Sequence, residues 1–247
     1  GQIGGRVLFS SGVLYLAAVT GERLAVPLLL AVLAGTLALA LCVRVGGGPH
    51  PEVGSRPGRR GRYLRTLLRT PRFWRLVVFA LVGGLGFEAA GALSGPWLAH
   101  HGLDDAGVAT FRLVTAGLMA AGAWLGGRLA DRMSPSVAVR GLLAALVVML
   151  LATAATGSVV CYALAYFGIG AFTAASYALF MANATGPLAA TVFSAFMGLT
   201  NACEAMAGRA GGLLQTRFGY GAAIAGLALA SLVAWPLLRR RKSAETG

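Results

Sequence analysis

The sequence predicts a polytopic α-helical membrane protein, and three observations support this fold class. Apolar residues make up 57% of the 247 positions and charged residues only 12%, about half the charged fraction of a typical soluble domain. Nearly uncharged stretches long enough to cross a bilayer as helices recur along the chain. Basic residues collect between these stretches. A soluble helical protein of this composition would lack the polar surface to cover itself, so we disfavour that alternative.

Eight apolar spans can be drawn on the chain. Only helices and closed barrels satisfy every backbone polar group in lipid, and no barrel-like alternation is visible, so we expect each span to be a helix. Short breaks separate most spans, and the break at 185–187 has Thr185 and Pro187 at positions typical of a helix start. The predicted limits are 1–20, 24–43, 73–98, 107–127, 137–156, 158–181, 187–212 and 218–238.

Residues 44–72 form a hydrophilic, arginine-rich segment that divides the chain. Glycine and proline interrupt 46–51, and the part from 63 to 69 is amphipathic. This part would either rest on the inner leaflet, where arginine attracts anionic lipid, or be a solvated linker, and the sequence does not choose between them. Its apolar face carries Leu64, Leu67 and Leu68, and its basic face carries Arg62, Arg65 and Arg69.

Basic residues also predict the orientation of the spans. The net charge is +13, with 21 Lys and Arg against 8 Asp and Glu. Alternating spans place the groups Arg44–Arg75, Arg128–Arg140 and Arg239–Lys242 on one side, which the positive-inside rule assigns to the cytoplasm. No aromatic-interleaved basic face accompanies this charge, so we do not expect nucleic acid as a partner. Membrane lipid is the expected surface partner.

A motif follows the fourth span, where residues 127–132 read GRLADR. We expect Gly127 to allow close backbone approach, and Asp131 to face the positive N-terminal end of a neighbouring helix. Arg132 would hold the loop on the cytoplasmic side. The motif resembles one that the major facilitator superfamily carries in short cytoplasmic loops between its second and third, and eighth and ninth, helices. The family's longer form continues with glycine and basic residues, whereas this chain continues with MSP.

This resemblance implies a domain organisation for the whole chain. Residues 1–43 would be the last two helices of an N-terminal half, 44–72 a basic cytoplasmic linker, 73–238 a six-helix C-terminal half, and 239–247 a cytoplasmic tail. The chain, which starts at Gly1, would then be a fragment that carries helices five to twelve. Residues 86–102 and 190–204 are similar to the branch of muropeptide permeases, acetyl-CoA transporters and siderophore importers. That likeness implies a muropeptide, peptide-like or siderophore substrate.

Glu88 is the leading candidate for proton coupling or substrate binding, because it lies halfway along the third span. A carboxyl group away from water favours its protonated form, which suits a group that binds and releases a proton. A structural hydrogen bond to a neighbouring helix is the alternative. On the seventh span, Asn201 and Glu204 are further candidates. Glu204 would form an ion pair with Arg209 or Arg112, which would act as an outer gate or as a static pair.

The sixth span carries a polar-aromatic stripe that could contact a substrate or simply pack. Its members are Tyr162, which is also suited to an interfacial belt, and Tyr166, Thr173 and Tyr177. His100 and His101 lie in an outer loop where metal binding is conceivable, but a solvated loop is favoured. The three cysteines lie in apolar stretches and predict no disulfide or metal site. We expect no cofactor.

These observations predict a multi-pass secondary transporter in a bacterial inner membrane. It would move a small solute by alternating access and use protons, as a symporter, for energy. Two alternatives are a polytopic membrane enzyme and a permease-like receptor that does not transport. The enzyme is disfavoured because the chain lacks convergent nucleophile, base and metal-ligand motifs. Only a transport assay would separate the receptor from the transporter.

Overall fold

The computed structural model describes residues 57–238, together with isolated positions between 27 and 35. Within 57–238 the chain is almost entirely helical and contains no strand. The prediction of an all-helical protein with membrane-length apolar helices is therefore confirmed. The predicted spans at 1–20 and 24–43 and the tail at 239–247 lie outside the described residues, isolated positions apart. The count of eight spans and the division into domains remain predictions.

Seven α-helices lie between residues 57 and 238. Short 3₁₀ turns, at Gly186–Leu188, Leu232–Ala234 and Pro236–Leu238, lie beside the last of them. The helices are α1 (Pro57–Leu68), α2 (Pro71–Val82), α3 (Leu85–His100), α4 (Asp105–Arg132), α5 (Pro135–Thr156), α6 (Val159–Asn183) and α7 (Ala189–Ser231).

Five apolar stretches of 57–238 are long enough to cross a membrane. The last, Gly186–Leu238, has 53 residues and would extend about 80 Å if straight, far beyond a 30 Å hydrocarbon core. However, Gly219 has non-helical backbone angles (φ 84°, ψ 170°) and divides α7 into two parts. Every predicted span between 73 and 238 overlaps one of the resulting segments. The other stretches are Pro71–His100, Asp105–Arg132, Pro135–Thr156 and Val159–Asn183.

Local chemistry explains where several helices begin and end. Asp104 caps α4, because its Oδ1 accepts a hydrogen bond from the Gly107 N–H at 2.8 Å. Pro135 occupies the first turn of α5, where its missing N–H has no cost. The same helix ends at Gly157, whose positive φ of 61° suits a residue without a side chain.

Glycines bring α4 and α6 into backbone contact. A Cβ atom at Gly122 would collide with the carbonyl oxygen of Phe167, and one at Gly126 with that of Ala171. From the other side, a Cβ at Gly170 would collide with the carbonyl oxygen of Met119. Small residues at such crossings are the usual basis of helix association in lipid. Among the described residues a Cβ at Gly127 would meet nothing within 4 Å, so close backbone approach at this glycine stays a prediction.

The beginning of α3 packs against the end of α7. The Gly86 N–H donates a hydrogen bond to Ser231 Oγ at 2.8 Å, and a Cβ at Gly86 would lie 2.7 Å from the Ala228 Cα. Ser231 is 2% exposed, so this bond joins two distant parts of the chain inside the bundle. It therefore fixes where the second part of α7 lies along α3.

Residues that an alternating up-and-down order of spans would place at the same end of the bundle are found at the same end. At one end, Tyr63 of α1 donates a hydrogen bond to the carbonyl oxygen of Thr185, in the turn before α7. At the other, His101 Nε2 is 3.4 Å from where a Gly157 Cβ would lie. The amphipathic part of the 44–72 segment thus lies at the end of α1, against the 185–188 turn. We call the end of the bundle that contains α1 and the 185–188 turn the arginine-rich end.

Candidate functional site

A cavity of about 240 Å³ lies between α2, α3, α4, α6 and α7. Its lining residues come from near the middle of the membrane-length stretches: Glu88 from Pro71–His100, Met119 from Asp105–Arg132 and Thr173 from Val159–Asn183. The cavity therefore lies at about half the depth of the bundle. Sites at this depth and between helices are typical of small-solute carriers.

Four of the predicted site residues line this cavity. Glu88 comes from α3, Thr173 and Tyr177 from α6, and Asn201 from α7. Their side chains converge from three helices that are far apart in sequence, because mid-span positions of packed helices meet at one depth. The chemical roles predicted for them stay predictions, but their convergence makes one site out of four separate candidates.

Aromatic rings form most of the apolar wall of the cavity. Phe172 has its ring centroid 6.1 Å from that of Phe79 and 5.7 Å from that of Phe87, both in edge-to-face geometry. Phe79 also packs on Phe180, at 5.8 Å. Edge-to-face pairs at these distances are favourable, so the rings support one another as a connected wall. Such a wall with a few polar groups is the usual composition of a ligand pocket.

Three polar residues of the cavity were not among the predicted site residues. Ser176 is 5% exposed, and its buried Oγ has no hydrogen-bond partner among the described residues. Thr200 donates its hydroxyl to the Met197 carbonyl at 2.8 Å. Cys203 places its Sγ 3.2 Å from where a Gly84 Cβ would lie, beside Glu88. The spacing of Ser176, three residues after Thr173 on one helix face, was the signal that could have identified it.

Open space and one arginine lie along the same face of α3 as Glu88. A Cβ at Gly91 would meet nothing within 4 Å, whereas one at Gly95 would be 3.3 Å from an Arg112 Nη. Gly95 lies seven residues beyond Glu88, or about 10 Å along the helix axis. Arg112 therefore reaches α3 well away from the Glu88 carboxyl group, towards the end opposite the arginine-rich one.

Glu204 and Arg209 are exposed on the surface of α7. Neither is among the residues that line the cavity. The proposed pairing of Glu204 with Arg209 or Arg112 stays a prediction, and so does a gating role for these residues.

Tyr166 belongs to an aromatic cluster rather than to the cavity wall. Its ring centroid is 5.9 Å from that of Phe111 and 5.8 Å from that of Tyr162. Tyr162 is fully buried and donates its hydroxyl to the Ala90 carbonyl oxygen. The interfacial-belt alternative for Tyr162 is therefore wrong, because that role requires the hydroxyl to reach the membrane surface. The N-terminal half of the predicted stripe, Tyr162 and Tyr166, is therefore a packing cluster.

The loop motif lies at the arginine-rich end. Asp131 and Arg132 are both exposed, and the Asp131 carboxylate has no hydrogen bond or ion pair with the side chains described between 61 and 238. The expected contact of Asp131 with a neighbouring helix N-terminus is therefore not found in that range. Arg128 stacks its guanidinium over the Trp124 ring, 4.2 Å from the centroid. A gating role for Gly127, Asp131 and Arg132 stays a prediction.

The histidine pair lies at the opposite end of the bundle. The ring of His101 stacks on Trp97 at 3.8 Å, and its Nδ1 is 2.8 Å from the Trp97 carbonyl oxygen. Because a carbonyl can only accept, Nδ1 carries the proton of this bond. No group of three or more His, Cys, Asp or Glu that could hold a metal ion occurs among the described residues.

No protein-family model, curated protein or solved structure matches the chain. The geometry of the cavity and the chemistry of its lining are therefore the features that indicate a function.

Proposed function

We propose that the chain is part of a secondary transporter that moves a small solute by alternating access, with the mid-depth cavity as its binding site. The convergence of Glu88, Thr173, Tyr177 and Asn201 on one cavity is the observation that carries the proposal. An aromatic wall would hold the apolar part of a solute, while the hydroxyl and amide groups would orient its polar part.

Features of the helix bundle support a carrier that changes shape. The Gly83–Gly84 turn separates α2 from α3, and the non-helical Gly219 divides α7. Gly83 and Gly84 keep right-handed helical angles, so the break at Gly219, in a stretch that also borders the cavity, is the place where a hinge rotation would occur. The glycine crossing of α4 and α6 gives one rigid pair against which the other helices could move.

The loop motif and the basic segment before α2 favour a major-facilitator-like architecture for the whole protein. In that architecture eight helices of this chain would join further helices, which would supply the rest of the cavity wall. Arginine at one end of the bundle supports an orientation with that end in the cytoplasm. We place the protein in a bacterial inner membrane, with a muropeptide, peptide-like or siderophore compound as its solute.

Protons are the proposed energy source, and Glu88 is the proposed carrier. Its carboxylate would take up a proton when the cavity opens outward and release it when the cavity opens inward. Solute and proton would therefore move together, as in a symporter.

A reconstituted transport assay tests the proposal. Vesicles that contain the whole transporter would be offered muropeptides, dipeptides and siderophores, and solute entry and internal pH would be followed together. We expect solute entry to be accompanied by internal acidification. Absence of both net uptake and exchange for every compound would contradict transport of these classes.

Two variants separate proton coupling from solute binding. Glu88→Gln keeps the side-chain shape but cannot carry the proton, so it should lose uphill uptake and retain exchange of labelled for unlabelled solute. Asp105→Asn, on an exposed acid of α4, is the control and should retain both activities. Uphill uptake that is unchanged in Glu88→Gln would refute the proton role of this residue.

A further inference from the structure

A second cavity, of about 460 Å³, lies at the end of the bundle opposite the arginine-rich one. The ends of α3 and α5 and both sides of the Gly219 break in α7 border it. It shares no lining residue with the mid-depth cavity, so it is a separate candidate site, and we call it the histidine cavity. The lining side chains that carry rings or polar groups are Trp97, His100, His101, Thr153, Gln215 and Tyr220.

The backbone carbonyl group of Ala154, in the last turn of α5, is a hydrogen-bond acceptor at this cavity. The two amides that could continue the helix towards it bind elsewhere. The Gly157 N–H donates to the Thr153 carbonyl oxygen at 3.0 Å, and the Ser158 N–H donates to a threonine hydroxyl oxygen at 3.2 Å. A Cβ atom at Gly221, on the facing part of α7, would lie 3.0 Å from the Ala154 oxygen, so a side chain there would cover this acceptor.

His101 supplies a second acceptor to the same cavity. Its Nδ1 donates to the Trp97 carbonyl oxygen, so Nε2 of the neutral ring carries a lone pair. This Nε2 has no hydrogen-bond partner among the described residues, and it lies 3.4 Å from where a Gly157 Cβ would be. Gly157 is three residues after Ala154, so both acceptors lie at the end of α5. The partial negative charge of the helix C-terminus adds to theirs.

Aromatic rings surround these acceptors. The ring centroid of Tyr220 is 5.5 Å from that of His100, which is 5.7 Å from that of His101. The face of a tyrosine ring attracts a cation within about 6 Å. None of the described residues that line the cavity is Lys, Arg, Asp or Glu. The wall therefore favours a ligand that brings its own positive charge, N–H donors and an apolar part.

We propose that the histidine cavity binds a protonated amine that carries a ring or another apolar group. The ammonium group donates hydrogen bonds to the Ala154 carbonyl oxygen and to His101 Nε2, and the apolar part lies along the Tyr220 ring. Gln215 precedes the Gly219 break and Tyr220 follows it, so the amine contacts both parts of α7. The site does not depend on the transport proposal, because amine binding is measured without transport.

Binding of phenethylammonium tests the site directly. The full chain, purified in a mild detergent, would be titrated with the radiolabelled amine at a pH of about 8, where an alkyl amine is protonated and an ordinary histidine is neutral. Phenylethanol and phenylpropionate have the same ring with a neutral and an anionic group, and they would be added as competitors. We expect saturable binding of the amine that neither competitor displaces.

Two glycines of the second part of α7 provide a matched pair of variants. Gly221→Ala places a methyl group against the Ala154 oxygen and should weaken amine binding by about tenfold, the equivalent of one hydrogen bond. A Cβ at Gly226 would meet nothing within 4 Å, so Gly226→Ala should stay within about twofold of the wild type. His101→Phe keeps a ring against Trp97 but removes the Nε2 acceptor, and it should also weaken binding by about tenfold.

Four results would overturn the proposal. They are the absence of saturable binding, equal displacement of the amine by phenylethanol or phenylpropionate, equal affinities of Gly221→Ala and Gly226→Ala, and loss of binding in Glu88→Gln while His101→Phe binds normally. The last result would assign the amine to the mid-depth cavity. If Gly221→Ala does not fold, His101→Phe decides, because wild-type affinity in that variant would contradict the site.

Discussion

Two adjacent glycines of α4 provide a matched pair for testing the packing of the bundle. A Cβ at Gly126 would collide with the Ala171 carbonyl oxygen and lie 2.6 Å from the Ala171 Cα, so neither helix can yield by rotating a side chain. A Cβ at Gly127 would meet nothing within 4 Å. The substitutions Gly126→Ala and Gly127→Ala therefore add the same methyl group in opposite environments, one residue apart.

The expected free energies differ in sign. Gly126→Ala should destabilise the protein by about 1–3 kcal/mol or more, the range for overpacking a well-packed site. Gly127→Ala should be neutral or should stabilise it by up to about 1 kcal/mol, because alanine favours the helix over glycine. With about 2–4 °C of melting temperature per kcal/mol in proteins of this size, the two variants should be separated by several degrees.

Thermal unfolding in one detergent, followed by helical circular dichroism, measures this difference. An alanine at Gly126 that leaves the melting temperature unchanged, or one at Gly127 that lowers it more, would refute the packing of α4 on α6. The same pair bears on the loop motif. If its first glycine served close backbone approach, Gly127→Ala would be the damaging substitution.

Three further substitutions test other parts of the bundle by the same measurement. Ser231→Ala leaves the buried Gly86 N–H without its acceptor and should cost about 1–3 kcal/mol, and a stability within error of the wild type would contradict that contact. Asp104→Ala removes the cap of α4 and should cost about 1 kcal/mol. This is more than the cost of Asp105→Ala, because the Asp105 side chain makes no hydrogen bond to the described residues. The reverse order would refute the cap. Gly219→Ala requires an alanine at a φ of 84° and should cost about 1–3 kcal/mol, whereas a neutral result would place the bend elsewhere.

Hydropathy predicted the helical segments well for two reasons. The bilayer sets their length, and the backbone N–H and C=O groups of each segment must form their hydrogen bonds within that segment. The predicted break at 212–218 lies next to the observed break at Gly219. Mid-span polar residues were similarly informative. Glu88, Thr173 and Asn201 meet because packed helices bring their middle positions to a common depth.

The rotation of each helix could not be predicted from the pattern of polar residues. Successive helical residues differ by about 100° around the axis, so the adjacent glycines Gly126 and Gly127 do not show from the sequence alone which of them faces α6. The orientation of α6 is determined by its glycine contact with α4 through Gly170. With α6 in that rotation, the Tyr166 side chain points towards the aromatic cluster and the Ser176 side chain points towards the cavity.

Alternating exposure of the cavity tests the central claim most directly. Asn201→Cys, in a background with the three native cysteines replaced, would be labelled with a membrane-impermeant thiol reagent added to one side of oriented vesicles at a time. Val148→Cys, on α5, is the control because this side chain is 65% exposed at a mid-span position of the bundle surface. A transporter predicts labelling of position 201 from each side, changed in opposite directions by solute, and none at position 148. Labelling of position 201 from one side only, with or without solute, would contradict alternating access.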